Sequence, residues 1–287
     1  DEVQAVYEGR LEKVYKTRVE DETPIGDAPL YKGEHKVYVG KDGGRRPRVF
    51  IPVFPGTNCE YDTARAFRMA GAEPDVFVLR NRDSQHIRES IDEMAKRIAN
   101  AQILMFSGGF SAGDEPEGSG KFIAAVFSNE KLKEATMDLL SRRDGLALGI
   151  CNGFQALIKL GLVPYGEIRE LSDKDPTLTY TSIGRDVSWM VRTRVVSTRS
   201  PWLAGAEPGD IHTIAVSHGE GRFMADAALL RRLAENGQIA TQYVDMEGNP
   251  TMDIRYNPNG SLWAVEGITS PDGRVLGKMG HSERRGD

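Results

Sequence analysis

The amino-acid sequence predicts an α/β fold: a mostly parallel sheet flanked by helices, with an antiparallel β extension. Three observations lead there. From residue 48 to residue 160, short apolar runs alternate with segments of helical periodicity, the pattern of βαβ units around a buried parallel sheet. From 167 to 223 the runs are β-rich with no long helix between them, as in an antiparallel insertion. The chain has 287 residues, 39% of them hydrophobic, which is ample for a large core.

Each element has a local signal. Residues 1–47 mix charge with scattered apolar side chains and end near the Gly/Arg-rich GKDGGRRPR, a linker-type break. We read 1–47 as a connector and 48–287 as the folded domain. Val49–Phe54 is the first strand, closed by Pro55-Gly56. Residues 60–71 place Ala64, Phe67 and Ala70 on one helical face. Asp75–Leu79 is the second strand, and 84–99 the second helix, with Ile87, Ile91, Met94, Ala95 and Ile98 at helical spacing. Gln102–Phe106 is the third strand, stopped by Gly108-Gly109, and Phe122–Leu140 reads as one helix. Gly145–Ile150 is the fourth strand and 153–160 the helix after it. Right-handed crossovers put the loops that follow these strands along one sheet edge, where ligands bind in flavodoxin-like folds. Leu178–Ile183, Val187–Val196 and Ile211–Val216 are the antiparallel strands. Ala225–Glu235 is a helix, and Gln238–Val244, Leu262–Ile268 and Arg274–Lys278 are strands joined by turns such as NPNG and PDG.

Composition excludes several functions. Basic residues number 37 against 42 acidic, a net charge of -5, which disfavours nucleic acid as a partner. No run approaches the roughly 20 apolar residues of a membrane helix, and the N-terminus DEVQAVYEGR lacks the features of a signal peptide. Two cysteines are too few for a disulfide framework or a zinc site. They point to no metal and to a reducing, cytoplasmic setting.

The chemistry centres on Gly149-Ile150-Cys151-Asn152-Gly153, where a buried strand turns into a helix. This is a G-x-S-x-G nucleophile elbow with sulfur in place of oxygen. The helix beginning at Asn152 aims amide N–H groups and its positive dipole end at the sulfur, which favours the thiolate. A thiolate attacking a carbonyl needs an oxyanion hole. Ser107-Gly108-Gly109-Phe110 follows the third strand onto the same edge, so the N–H groups of Gly109 and Asn152 are the natural donors. A base is also needed. Of five histidines, His35 and His86 read as surface residues and His212 as structural. His218-Gly219-Glu220 and His281-Ser282-Glu283 both remain, and sequence chemistry does not choose between them. Cys59 reads as a small packed residue on the active edge, and Ser111–Gly120 as a lid or a solvated loop.

With these residues in view, the sequence resembles the class I glutamine amidotransferases, and within them the glutaminase of phosphoribosylformylglycinamidine synthases. PGTNCE at 55–60, SGGFSAGD at 107–114, GICNGFQ at 149–155, SHGEGRF at 217–223, NPNGS at 257–261 and GKMGHSER at 277–284 match in order. The resemblance implies a class I glutaminase domain over 48–287 with the triad Cys151, His281 and Glu283. Gly108, Phe110, Gln155, His218 and Glu220 are the candidate substrate-binding residues. Many members read Pro-His-Pro-Glu where this chain has Gly280-His281-Ser282-Glu283, so the turn loses the rigidity of its prolines. LEKVYKT at 11–17 resembles the segment that joins the synthetase portion to the glutaminase in the long single-chain form. The expectation is the C-terminal part of a larger synthase, cut at both ends. No cofactor is expected in this domain, with ATP and Mg in the synthetase portion. Glutamine and that synthetase domain are the expected partners. Two other readings share the elbow: a cysteine hydrolase or deglycase of the same broad fold, and a docking domain that has lost activity.

Overall fold

The computed structural model describes residues 2–12, 14, 24–33, 46–110 and 120–284. His35, most of the LEKVYKT segment and nearly all of the Ser111–Gly120 loop lie outside the described residues.

In chain order the elements are α1 (Glu2–Glu8), β1 (Arg48–Val53), α2 (Glu60–Met69), β2 (Glu73–Val78), α3 (Ser84–Asn100) and β3 (Ile103–Phe106). Then come α4 (Lys121–Phe127), α5 (Glu130–Ser141), β4 (Leu146–Ile150), α6 (Asn152–Leu160) and α7 (Leu162–Tyr165). The antiparallel part holds β5 (Thr177–Tyr180), β6 (Val187–Val195), β7 (Ile211–His218) and β8 (Glu220–Met224). The chain finishes with α8 (Ala227–Glu235), β9 (Ile239–Val244), β10 (Val265–Thr269) and β11 (Val275–Lys278).

Nine strands form one sheet in the order β2-β1-β3-β4-β11-β10-β9-β6-β7. The β2-β1-β3-β4-β11 half is parallel, and from β10 to β7 every pairing is antiparallel. The predicted α/β class holds, including its β extension. The parallel strands are apolar because helices cover both faces: Phe50, Ile51, Leu104, Met105, Phe106 and Ala147 are all buried. Each large side chain so buried contributes roughly 1.5–3 kcal/mol. The order reverses at β1, and the loops after β1 and β3 lie together at the carboxyl edge.

Three expectations need correction. The predicted helix Phe122–Leu140 is two helices. Asn129 takes an extended conformation, and its side chain accepts the Lys131 N–H at 3.1 Å to cap α5, an N-cap choice that a polar Asn makes available. Leu262–Ile268 is a strand only from Val265, because Leu262–Ala264 forms a 3₁₀ turn. Glu220–Met224, not expected as a strand, pairs with β5 in a separate two-stranded sheet. Within the expected connector, Tyr31 bridges to Ser197, with its N–H donating to Val196 O at 2.9 Å.

Candidate active site

The elbow forms as its glycines require. β4 ends at Ile150, Cys151 takes φ 54 and ψ -109, and α6 starts at Asn152. A non-glycine residue in that region stores about 1–3 kcal/mol of strain, so the surroundings must hold it. Cys151 donates its N–H to Lys278 O of β11 at 2.9 Å. A Cβ added to Gly153 would sit 2.0 Å from Phe106 O. Only glycine there lets α6 pack down on the end of β3.

The candidate base follows the neighbouring strand. β11 runs into Met279-Gly280-His281, and the His281 N–H donates to Ala215 O at 2.8 Å. His281 Nδ1 lies 2.6 Å from Glu283 Oε1, and both residues are buried. A carboxylate only accepts, so Nδ1 carries the proton and Nε2 keeps its lone pair. Nε2 has no hydrogen-bond partner among the described residues. Gly108 lies beside this ring. A Cβ placed there would lie 2.7 Å from His281 Cε1, 3.1 Å from Cys59 Sγ and 3.5 Å from Cys151 Cβ. His281, Cys59 and Cys151 therefore converge on a position that has no side chain.

The predicted oxyanion loop is stitched to the loop after β1. Gly108 O accepts the N–H groups of Asn58 at 3.4 Å and Cys59 at 3.3 Å, and Phe110 donates its N–H to Gly56 O at 2.8 Å. Gly109 bridges to Thr57 with φ 144. Asn152, the other proposed donor, supplies the first amide of α6. Gln155 is buried in the same helix. Its side chain accepts from Asn152 Nδ2 at 3.0 Å and donates to Glu220 O. The structure thus brings Gln155 and Glu220 together.

The two histidines left open by the sequence now separate. His218 is buried, and neither ring nitrogen has a hydrogen-bond partner among the described residues. Burial pushes its pKa down from 6.5 to about 3, helped by the nearby His281. It has no counterpart of Glu283. The expectation for pH follows from the sign: below 6.5 the unfolded chain takes up a proton that folded His218 refuses. Stability is fully present above pH 6.5 and falls by up to roughly 1.4 kcal/mol per unit as pH drops towards 3. Urea unfolding at pH 7 and pH 4.5 should show a smaller loss in His218→Leu than in the parent; equal losses would refute it. Of the remaining histidines, His212 is exposed on β7, and His86 starts α3 with Nδ1 2.8 Å from Asp83 Oδ2.

Cys59 is more than a packed small residue. It is buried, Arg284 Nη2 donates to its sulfur at 3.0 Å, and burial pushes its thiol pKa up. Donor atoms of Cys59, His281 and Glu283 lie within 4.8 Å of one another, a trio that the sequence reading missed. Two of their donor atoms are engaged, Glu283 Oε1 by the imidazole and the Cys59 sulfur by a guanidinium, whose charge opposes a metal cation. Tyr243 also went unseen. Asn259 Nδ2 donates to its hydroxyl at 2.8 Å, and burial, then the charges of Glu266 and Cys151, raise its pKa well above 10. Only the motif glycines and the His-x-Glu spacing were visible in advance. Cys59 and Tyr243 reach the site through folding alone.

A family model for CobB/CobQ-like glutamine amidotransferase domains matches residues 46–287. The phosphoribosylformylglycinamidine synthase subunit PurQ of Methanococcus maripaludis is 35% identical over 244 residues, covering 83% of this chain and 82% of the relative. The subunit of the same name from Synechocystis is 32% identical over 240 residues, covering 83% and 92%. Among solved structures, PurLQS from Thermotoga maritima superposes with a TM-score of 0.60 at 25% identity, covering 84% of this chain and 89% of that one.

Proposed function

The chain belongs to the CobB/CobQ-like glutamine amidotransferase family, and from that membership we propose how its residues act. It is the glutaminase of a phosphoribosylformylglycinamidine synthase. It releases ammonia from glutamine for the ATP-dependent amidation of formylglycinamide ribonucleotide, a step of purine biosynthesis. The observation that carries the residue roles is Cys151 and His281 meeting beside Gly108, with Glu283 on the Nδ1 of the ring.

His281 Nε2 takes the proton of the Cys151 thiol, and the thiolate attacks the side-chain amide carbon of glutamine. The N–H groups of Gly109 and Asn152 hold the oxygen as it gains charge. When the C–N bond breaks, His281 Nε2 delivers the proton that ammonia needs. His281 then takes a proton from water, which attacks the thioester carbonyl and releases glutamate. Glutamate leaves, and Cys151 regains its sulfur electron pair. Throughout, the Nδ1 proton stays on the bond to Glu283. Gly108, Phe110, Gln155, His218 and Glu220 line the place where the rest of glutamine is held. No step in this chain needs a cofactor, and ATP and Mg serve the synthetase portion. PurQ is named as a synthase subunit, so the synthetase is the partner proposed for this chain, with 1–47 as a connector to it. Among the described residues, no helix is long and apolar enough to cross a membrane. A free-thiol mechanism fits a reducing compartment, the cytoplasm.

An electrophilic glutamine analogue, a γ-chloroketone, tests the nucleophile. Applied to the complete synthase, it should label the peptide that contains Cys151 and spare Cys59. Glutamine should slow the labelling. Label on Cys59 alone, or labelling indifferent to glutamine, would overturn the assignment.

A further inference from the structure

β10 and β11 are buried at every position, yet they hold a carboxylate and an ammonium. Glu266 is 0% exposed and Lys278 9%. Burying two charges is costly, and an apolar pair of the same volume is commonly as stable or more so. Fold stability alone therefore gives little reason for the pair.

Its contacts converge on one residue. Glu266 Oε1 accepts the N–H of Gly280 at 2.6 Å. Lys278 Nζ donates to the carbonyl of the same Gly280 at 2.8 Å, and lies 3.6 Å from Glu266 Oε1. The second carboxylate oxygen accepts from the hydroxyl of Thr241 on β9, which fixes the carboxylate plane. Both polar groups of Gly280 are thus held by side chains one residue ahead of His281. On either side the backbone is tied as well: Lys278 O accepts the N–H of Cys151 at 2.9 Å, and His281 donates to Ala215 O at 2.8 Å.

We infer that Glu266 and Lys278 are positioning residues, which set the His281 ring against Cys151 by fixing both ends of the Gly280 peptide. The inference rests on His281 being the base proposed above. It also gives the missing prolines a physical counterpart. A proline at 280 has no N–H, so the bond to Glu266 exists only because this chain departs from Pro-His-Pro-Glu. The turn is held by a buried charge pair in place of ring constraint. An imidazole displaced by an ångström costs on the order of 10²-fold in rate.

Two double variants separate positioning from stability. E266M/K278M replaces the pair by apolar side chains of similar volume and removes the acceptor for Gly280. E266Q/K278M keeps a neutral acceptor and leaves no unpaired charge. In the complete synthase, glutamine-dependent kcat should fall about 100-fold in E266M/K278M, with KM for glutamine within about threefold. E266Q/K278M should stay within about threefold of the parent, and ammonia-dependent synthesis should be unchanged in both. Equal glutamine-dependent kcat in the two variants would overturn the inference. If the Met pair does not fold, Thr241→Val replaces it as the test. Freeing the carboxylate plane should lower kcat about tenfold at constant KM, and no change would overturn the inference. Failure of the underlying reading is distinguishable: His281→Ala would then keep glutamine-dependent activity, whatever the double variants do.

Discussion

Replacing Cys151 by alanine should remove glutamine-dependent synthesis, by on the order of 10⁴-fold or more, and leave ammonia-dependent synthesis intact. The size follows from how little else at the site can take over. The other thiol, Cys59, shares the neighbourhood of His281 and Glu283. Burial raises its pKa, however, in spite of the opposing pull of the Arg284 guanidinium, so its thiolate is scarce. Like Cys151 it stands at the N-cap of a helix, but Glu60 and Asp62 in the first turn of α2 oppose a thiolate, whereas the first turn of α6 holds no acid. Alanine keeps the backbone of the elbow and its bond to Lys278, so the fold should persist. Measured with glutamine and with ammonium chloride on the complete synthase, a loss of both activities would indicate unfolding. Retention of the glutamine reaction would remove Cys151 from the mechanism.

The parts of this site that the sequence displays are those that depend on backbone shape. Gly149, Gly153 and the Gly108-Gly109 pair are legible because no other residue fits where two chain segments touch. The parallel strands are legible because burial on both faces leaves uninterrupted apolar runs, such as Val49–Phe54. What stayed hidden depends on long-range approach. His218-Gly219-Glu220 and His281-Ser282-Glu283 have the same spacing, yet only one has its carboxylate on the ring. That difference arises from backbone direction, since β11 ends in a turn and His218 closes β7 just ahead of β8. Glu266 and Lys278 lie in strands that read as ordinary apolar stretches with one charge each, and their meeting becomes visible only in the β10–β11 register. Arg284 on Cys59 joins residues 225 apart in sequence, a separation that no local pattern encodes.

Glu283→Gln should lower glutamine-dependent kcat by about 10²- to 10⁴-fold, with little change in KM and none in the ammonia reaction. Glutamine has the shape of glutamate, so packing is kept and only the acceptor chemistry changes. If the new amide turns its carbonyl to His281, Nδ1–H keeps an acceptor but the imidazolium formed during turnover loses its countercharge. The NH₂ group then occupies the place of Oε2, a buried atom with no hydrogen-bond partner among the described residues, at a cost of about 1–3 kcal/mol. If the amide turns its NH₂ to the ring, Nδ1 must accept, the proton moves to Nε2, and the face towards Cys151 can no longer act as a base. Both orientations weaken the same step. Labelling of Cys151 by the chloroketone analogue should slow in parallel, because the ring no longer supports the thiolate. Should kcat stay within threefold of the parent while labelling is unchanged, the acid that orients His281 is not Glu283. Glu220, whose backbone carbonyl binds Gln155, would be the next carboxylate to replace.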